Sequence, residues 1–303
     1  MADWSLPRED QCPRVHARTS AKNGAQDPRP EGFRPPPHER VAGRAARWRV
    51  RLRALADLQQ GSIRRDLKRL LPQATGTLAD VGAGAQPFRD LVRPEVKYLA
   101  IDIEDAEAQF GYYTPGTRYF TGSVLPLADA AADTVLCTET LEHVREPCAF
   151  LRELRRILPP AGRLVLTVPF AARWHFVPQD YWRFTPSGLE HLLTQAGFCE
   201  VRIYPRGGAL AVAGYKGLGF VLLLLAGSGR RGAAAALARL VGILALPAAA
   251  LAAVLGHVGL AFPGIADDTL GYTVLARAAP PAVGSTGSGS GTGSPSASEE
   301  QGV

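Results

Sequence analysis

Short, mainly apolar runs alternate with longer stretches of helical periodicity through the middle of the chain. The apolar runs are bounded by Gly, Pro and Asp, a pattern typical of buried β-strands. They occupy residues 77–81, 96–102, 118–122, 133–138, 162–169 and 199–205, and a final run lies within 267–278. Helices are predicted at 147–158 and at 185–198, where Thr185 is placed to cap the helix and Pro186 to begin it. Strands that alternate with helices predict an α/β domain with a mostly parallel sheet.

The chain outside this region has a different composition. Residues 1–39 are polar, rich in Pro and Arg and without periodicity, so we expect a disordered arm. Residues 40–72 predict a basic amphipathic helix or pair of helices, broken near Gly61 and Ser62. Its apolar face is expected to pack on the next domain, with a membrane surface or a partner as the alternative. Residues 280–303 are rich in Gly and Ser and predict a flexible tail.

The stretch 209–266 is strongly apolar and contains no acidic residue. Its run at 240–262 is long enough to cross a bilayer. The predicted strands before and after it belong to one sheet, so the chain must cross an even number of times, and the earlier apolar run is short. We therefore expect a hairpin in one leaflet, bent at Pro247, with Arg230 and Arg231 on lipid phosphates. A helical lid or a dimerisation element is the alternative.

Composition and charge narrow the functional classes. The 303 residues hold one or two domains. The net charge is +6, and much of the basic excess precedes residue 70, which is weak evidence for nucleic-acid binding. The four cysteines form no CxxC pair, so neither a metal site nor a disulfide framework is predicted. This cysteine usage and the polar first residues favour a cytoplasmic protein.

Two glycines follow the first predicted strand in the sequence ADVGAG. Gly82 and Gly84 let a ligand approach the backbone at the strand tip. Asp102 ends the second predicted strand, where its carboxylate can accept hydrogen bonds from both hydroxyls of a ribose. A dinucleotide would need a third glycine where Pro87 stands, and Asp80 is a poor neighbour for a pyrophosphate. These residues favour a nucleoside ligand that carries positive charge and no phosphate.

Four longer motifs extend this pattern. They are ADVGAGAQPF, YLAIDI, FTGSVLPLADAAADTVLCTETLEHVREP and LRELRRILPPAGRLVLTVPF. With them the sequence resembles the class I S-adenosylmethionine-dependent methyltransferases, in particular the small-molecule branch called type 11. The resemblance implies a doubly wound, mostly parallel seven-stranded sheet over residues 73–208, completed by a strand at 267–279. The apolar segment 209–266 would then be a helical insertion before the last strand.

The resemblance also implies a cofactor site for S-adenosyl-L-methionine. The residues it implicates are Asp80, Gly82, Ala83 and Gly84 around the amino-acid end, Asp102 and Ile103 at the ribose, Ser123 and Val124 beside the adenine, and Thr138 and Glu139 facing the methionine portion and the methyl group. Many members have an acid where Ser123 stands, so the adenine contact differs here.

An aromatic segment follows the fifth predicted strand and includes the sequence DYWRFTP. In the resembling methyltransferases similar segments cap the acceptor pocket. His175 and Asp180 are the candidate bases for a hydroxyl acceptor, and Arg183 either holds an anionic acceptor or pairs with Asp180. Trp182 and Phe184 are expected to be packing residues.

The resulting expectation is methyl transfer to a small-molecule or lipid-linked acceptor by a membrane-associated protein. We expect a cytoplasmic protein, peripheral on the inner face of a membrane through residues 209–266. A non-catalytic binding or scaffold protein with the same fold is the alternative, and an NAD oxidoreductase is disfavoured by Pro87. Nucleic acid is not expected as a substrate, because the fourth strand leads into TETLEHV and not into an Asn/Asp-Pro-Pro-aromatic motif. The oligomeric state is left open.

Overall fold

The computed structural model of the protein describes Trp48 and residues 57–176, 179–226, 231–261 and 268–280. The predicted arm at 1–39, most of the helical segment before residue 57 and nearly all of the Gly/Ser tail lie outside the described residues.

Seven strands form one sheet, and each overlaps a strand predicted from the sequence. In chain order they are β1 Thr77–Val81, β2 Lys97–Ile103, β3 Arg118–Phe120, β4 Thr134–Thr138, β5 Arg163–Pro169, β6 Phe198–Pro205 and β7 Gly271–Ala278. Across the sheet the order is β3-β2-β1-β4-β5-β7-β6. Strands β1 to β5 are parallel, whereas β7 runs antiparallel to both β5 and β6. The predicted fold class is confirmed.

Six helices and three short 3-10 turns accompany the sheet in the described residues. The helices are α1 Leu58–Leu70, α2 Ala106–Phe110, α3 Pro147–Arg156, α4 Pro186–Gln195, α5 Ala209–Ala226 and α6 Gly232–Ala261, and the 3-10 turns are Leu71–Gln73, Arg89–Leu91 and Leu141–His143. The predicted cap of α4 is confirmed, because the Thr185 hydroxyl accepts a hydrogen bond from the Gly188 amide at 3.2 Å.

Apolar side chains on both faces of the sheet are buried, as a doubly wound fold requires. On one face the side chains of β1, β4 and β5 pack against α3 and α4, and this cluster includes Cys137, Leu154 and Leu193. On the other face Leu78 of β1 packs against Ile63 and Leu67 of α1. Successive residues of β1 therefore point into opposite layers, and no face of this strand is left for solvent.

The strands that follow β1 in the chain lie on both sides of it in the sheet, with β2 on one side and β4 on the other. This reversal of the chain's winding opens a crevice outside the carboxyl ends of the central strands. The tips of β1 and β2 are level, because Asp80 pairs with Ala100 and Val81 with Ile101. The loop after β1 and the carboxylate at the end of β2 thus meet at one edge of the sheet.

The predicted break at Gly61 and Ser62 is wrong, because α1 runs through both residues. Asp57 caps the helix by accepting a hydrogen bond from the Gln60 amide at 3.2 Å. The Gly61 amide donates to the Asp57 carbonyl at 2.9 Å, and the Ser62 hydroxyl donates to the Gln59 carbonyl at 2.7 Å. The cap and these local bonds outweigh the weak helix propensity of Gly and Ser.

The apolar insertion is a pair of packed helices, α5 and α6, between β6 and β7. Both are long and apolar enough to cross a membrane. The expectation that Pro247 bends the hairpin is wrong in its position: Pro247 lies inside α6, and the two arms of the hairpin are α5, which ends at Ala226, and α6, which begins at Gly232. The loss of one helical hydrogen bond at a proline is offset here by a long run of Ala and Leu.

Glycines bring α5 and α6 into close contact. A Cβ added at Gly214 would lie 3.0 Å from the Gly256 Cα, and one added at Gly259 would lie 2.7 Å from the Ala211 amide nitrogen. The base of the pair joins the domain through a buried cluster that includes Leu58. Backbone-to-backbone packing through small residues is the mode that apolar helices use where water supplies no driving force.

Candidate active site

A cavity of about 1300 Å³ opens at the carboxyl ends of the central strands. The part that we call the strand-tip end is lined by the loop after β1 and by the ends of β2 and β4. The same cavity is lined by His143, His175 and Phe176 and by residues of α5. The predicted cofactor loop and the aromatic segment after β5 therefore border the same space.

The loop after β1 has a backbone that only glycine adopts without strain at two positions. Gly82 has φ +74° and Gly84 has φ +52°. An added Cβ would lie 2.6 Å from Thr140 Cγ2 at the first position and 3.3 Å from the Tyr112 ring at the second. The Gly82 amide donates to the Ile101 carbonyl at 2.9 Å, which ties the loop to β2. The result is a bare backbone cradle that fits a ligand pressed against the strand tip.

Asp102 faces this cradle from the end of β2. Its Oδ2 accepts a hydrogen bond from the Gly84 amide at 2.8 Å, and its Oδ1 accepts one from the Ile103 amide at 2.8 Å. Burial raises the pKa of Asp102, and the two amide bonds counteract that rise. Each carboxylate oxygen keeps a lone pair that can accept a hydroxyl. This geometry fits a ribose with two adjacent hydroxyls.

Asp80 does not share the position of the other residues that were predicted to surround the amino-acid end of the cofactor. It is fully buried in β1 and does not line the cavity; the Tyr98 hydroxyl donates to its Oδ2. Burial raises the pKa of Asp80 to about 7, the Tyr98 hydrogen bond lowers it, and the charge of Asp102 raises it further. Asp80 is therefore not part of the cavity wall, whereas the prediction placed it around the amino-acid end of the cofactor.

The remaining predicted cofactor residues divide between the cavity wall and the surface. Ala83, Ile103, Ser123, Thr138 and Glu139 line the cavity. Val124 does not line it, and 63% of that side chain is exposed. The chain turns outward after Ser123, so the adenine border predicted at Val124 would have to come from its neighbours.

A buried arginine supports Glu139, and no pattern in the sequence pointed to it. Arg206 is fully buried, and its Nη2 donates to Glu139 Oε1 and to the Val168 carbonyl, both at 2.9 Å. Glu139 has φ +46°, a left-handed conformation that costs a non-glycine residue about 1–2 kcal/mol. The ion pair holds Glu139 in that conformation at the cavity wall.

Of the three residues predicted to act on the acceptor, only His175 lines the cavity. Asp180 and Arg183 form a two-bonded ion pair at 2.6 and 2.7 Å, and Asp180 Oδ2 also accepts a hydrogen bond from the His175 amide at 3.1 Å. Burial raises the pKa of Asp180, but hydrogen bonds from Arg183 and His175 bring it well below its usual range. Asp180 is thus a poor base and serves to position His175.

Two other residues of the aromatic segment also test the prediction. Phe184 is buried in the core as expected. Trp182 is not a core residue, because 41% of it is exposed while its indole N–H donates to the Val144 carbonyl at 2.9 Å. Its ring stacks on Phe184 and closes the outer side of the segment.

Two side chains of the 3-10 turn after β4 lie next to His175. Burial and the neighbouring His175 lower the pKa of His143 to about 4, so its imidazole is neutral. Glu142 is fully buried, and burial together with Glu139 raises its pKa well above the usual range. The sequence LEHV contained this pair, but its burial could be known only from the fold.

The inserted helix α5 contributes a largely apolar part of the cavity lining. Leu218, Phe220, Leu222 and Leu223 of α5 line it, together with Tyr215 and Lys216. The cavity is also lined by Phe110 and by charged residues such as Arg145 and Glu146. Polar groups at the strand tips and apolar side chains of α5 thus border one cavity.

Comparison with known proteins identifies the domain. Residues 55–202 match the sequence profile of a family described as "Methyltransferase domain". A protein named ubiquinone biosynthesis O-methyltransferase from Cereibacter sphaeroides is 30% identical over 162 residues, which cover 45% of this chain and 66% of that protein. An uncharacterized methyltransferase of a Mycobacterium species is 32% identical over 95 residues, covering 30% of this chain and 38% of its own length. The chain thus spans less than two thirds of each relative.

Among solved structures, a SAM-dependent methyltransferase from Archaeoglobus fulgidus superposes with a TM-score of 0.42 at 16% identity, over 72% of this chain and 93% of that one. The strand order, the glycine cradle and the profile match agree with one another. On this evidence residues 55–202 belong to the methyltransferase-domain family, and the chain carries a class I S-adenosylmethionine-dependent methyltransferase domain.

Proposed function

We propose that this protein transfers a methyl group from S-adenosylmethionine to an apolar small-molecule or lipid-linked acceptor at the cytoplasmic face of a membrane. One observation carries the proposal: a single cavity is lined both by the glycine cradle with Asp102 and by apolar side chains of α5. A cofactor held at the cradle and an apolar acceptor held against α5 would share this cavity with His175.

The strand-tip end suits the cofactor by its chemistry. Gly82 and Gly84 leave backbone exposed for the amino-acid portion, and Asp102 offers carboxylate oxygens to the ribose hydroxyls. The nearby acids Asp80 and Glu139 favour a cationic ligand. When bound, S-adenosylmethionine supplies a methyl group that is already activated by the sulfonium. The protein therefore contributes mainly position and orientation.

The acceptor end suits an apolar molecule with one polar atom. His175 lines the same cavity as α5, and its Nδ1 lies 2.8 Å from the Arg173 carbonyl and 3.1 Å from Asp180 Oδ2. Both neighbours of Nδ1 accept, so Nδ1 carries the proton and Nε2 keeps a lone pair. That lone pair can accept a hydroxyl of the acceptor. The relative from Cereibacter sphaeroides is named an O-methyltransferase, which supports an oxygen acceptor.

The membrane part of the proposal is supported by the outer surface of α5 and α6. Eleven exposed large hydrophobic side chains of this pair do not line the cavity, including Leu237, Leu244 and Leu251. A contiguous apolar surface of this kind is typical of a membrane or protein contact. The inner side of α5 faces a cavity that contains charged residues, and a spanning helix would carry them into hydrocarbon. We therefore propose that the pair lies in the plane of one leaflet.

Cofactor binding gives the first test. We expect Asp102→Ala to weaken S-adenosylmethionine binding by more than about tenfold, because a hydrogen bond to a charged group contributes roughly 1.5–3 kcal/mol. The measurement is titration calorimetry on the full chain. Glu104→Ala is the matched control, since Glu104 is an exposed acid two residues away, and it should leave the affinity unchanged. An equal dissociation constant for both variants would remove the cofactor assignment.

Activity and location need their own readouts. We expect membrane extracts incubated with methyl-labelled cofactor to yield a labelled product in the organic phase, and this product should be absent with Asp102→Ala. Flotation with anionic vesicles should recover the full chain, and replacing residues 209–265 by a short linker should abolish recovery. Cofactor binding without any methylated product would favour the non-catalytic alternative. A full chain that does not float would make α5 and α6 a lid or dimer element.

A further inference from the structure

We propose that Glu142, His143 and His175 form a binding site for a divalent transition-metal ion at the acceptor end of the cavity. One carboxylate oxygen of Glu142 and one ring nitrogen of each histidine lie within 4.8 Å of one another. The residues come from two elements that the sheet brings together, the 3-10 turn after β4 and the loop after β5. The proposal concerns the resting protein and does not depend on methyl transfer.

Both histidines are oriented as metal ligands are. His143 Nδ1 lies 2.7 Å from the Gln179 carbonyl, and His175 Nδ1 lies 2.8 Å from the Arg173 carbonyl. A carbonyl only accepts, so each Nδ1 carries the proton and each Nε2 keeps its lone pair. A backbone carbonyl on the second nitrogen is the usual support of a histidine ligand, because it fixes the tautomer and the ring orientation.

Glu142 supplies a third donor that the surrounding protein leaves unsatisfied. The side chain is fully buried, and neither carboxylate oxygen has a hydrogen-bond donor among the described residues. Its nearest cationic candidate is His143 Nε2 at 3.6 Å from Oε1, beyond hydrogen-bond distance. A buried carboxylate without donors is costly unless it pairs with a charge or a metal. An ion bound between Oε1 and the two imidazoles would supply that charge.

The surroundings suit a small metal site that is shielded from water on most sides and open on one side. Phe110 and Phe176 pack edge-on against His143, with ring centroids at 5.4 and 5.8 Å, and form an apolar shell. His143 and His175 line the cavity, so the remaining coordination positions face the space proposed for the acceptor. Ligand atoms on one ion lie roughly 3.0–3.4 Å apart. Small rotations of the three side chains bring them to that spacing.

Two imidazoles and one carboxylate favour Zn²⁺, Co²⁺ or Fe²⁺ over Mg²⁺ and Ca²⁺, which prefer oxygen ligands. An acceptor hydroxyl could occupy an open position on such an ion. His175 would then hold the acceptor through the ion and not by direct contact, and the proposed methyl transfer is compatible with either arrangement.

Metal binding is tested on the full-length, untagged protein after dialysis against a chelator. We expect Zn²⁺ titration to show one saturable site, and Co²⁺ to give visible d–d absorption. His175→Ala and Glu142→Gln should each weaken Zn²⁺ binding by roughly 100-fold or more and abolish the Co²⁺ bands. His191→Ala is the matched control, since His191 is exposed on α4, and it should change neither readout.

Folding and cofactor binding are checked in the same variants. Glu142→Gln replaces the carboxyl group by an amide of the same size, so we expect unchanged thermal unfolding. If His175→Ala does not fold, His175→Gln replaces it. S-adenosylmethionine binding to metal-free Glu142→Gln should match that of the unaltered protein, which separates this site from the cofactor assignment. No saturable Zn²⁺ binding, or binding that the two ligand variants leave within about threefold, would overturn the proposal.

Discussion

At the strand tips, Gly82, Gly84 and Asp102 are held by backbone geometry, whereas most of the side chains that α5 contributes to the same cavity share only their apolar character. The first region tolerates few residue types, because a positive φ, a close approach and a charge are each needed at one position. The second region tolerates many, because burial of apolar area depends little on the identity of the side chain. The comparison predicts that substitutions have sharply different effects in the two regions.

Arg206 lies where the two regions join, between β6 and α5. We expect Arg206→Met to lower the free energy of unfolding by about 3–5 kcal/mol, because Glu139 loses its buried partner and the Val168 carbonyl loses a donor. Urea unfolding is the measurement. Arg277→Met is the control: the Arg277–Glu200 pair at 3.2 Å is exposed, and its loss should cost less than about 1 kcal/mol. Similar losses for both variants would mean that Arg206 does not link the regions.

The raised pKa of Asp80 allows the strand-tip end to be tested through the pH dependence of the free energy of unfolding. Its pKa of about 7 in the folded protein exceeds the ordinary aspartate pKa of 3.8, so its contribution to stability is complete below the lower value and is lost as the pH rises through the higher one. We expect Asp80→Asn to gain about 2–4 kcal/mol of unfolding free energy over the unaltered protein between pH 4 and pH 7. Urea unfolding across this range measures the gain. A difference that stays constant with pH would contradict the assignment.

A substitution at Gly82 distinguishes the effect of steric contact on cofactor binding from the effect of backbone strain. We expect Gly82→Ala to weaken S-adenosylmethionine binding about 100-fold, or about 3 kcal/mol, because the new Cβ would displace Thr140 from the cavity wall. Gly116→Ala is the control, since Gly116 has φ +83° with nothing within 4 Å of an added Cβ. It should show the strain in thermal unfolding but keep the affinity within about twofold. Equal affinities for both variants would show that the cradle is not used.

The smallest effect on stability is expected on α6. Leu244 is 73% exposed, so Leu244→Glu should change the free energy of unfolding by less than about 0.5 kcal/mol. Vesicle binding should fall about tenfold, since a charge replaces apolar surface at the bilayer. Leu193→Glu, at a fully buried position of α4, should prevent folding. A large loss of stability in Leu244→Glu would place that side chain in a protein contact and remove it from the proposed membrane surface.

The same difference explains which features could be predicted from the sequence. The strands and the cradle were predicted because Gly82, Gly84 and Asp102 mark strand tips by local rules. The position of β7 between β5 and β6 follows from long-range pairing, which no local pattern encodes. Arg206 was missed because its partner Glu139 is 67 residues away in the chain.

The errors have local causes as well. The break expected at Gly61 ignored the cap at Asp57, and the bend expected at Pro247 gave one proline more weight than the apolar helix around it. Val124 was included because its neighbours fit a family pattern, whereas the chain turns its side chain towards solvent. The burial of Glu142 depends on β4, β5 and the aromatic segment together, so a single motif could not show it.

The placement of α5 and α6 between β6 and β7 has a consequence for biosynthesis. Among the described strands, β6 pairs only with β7, and β7 is the last of them to leave the ribosome. Until residue 278 has emerged, the nascent chain therefore exposes an unpaired edge at β6 next to two completed apolar helices. Such an intermediate is prone to aggregate at an open edge. Early insertion of the two helices into lipid would protect this intermediate from aggregation. The strand β7 would then complete the sheet on a domain that is already attached to the membrane.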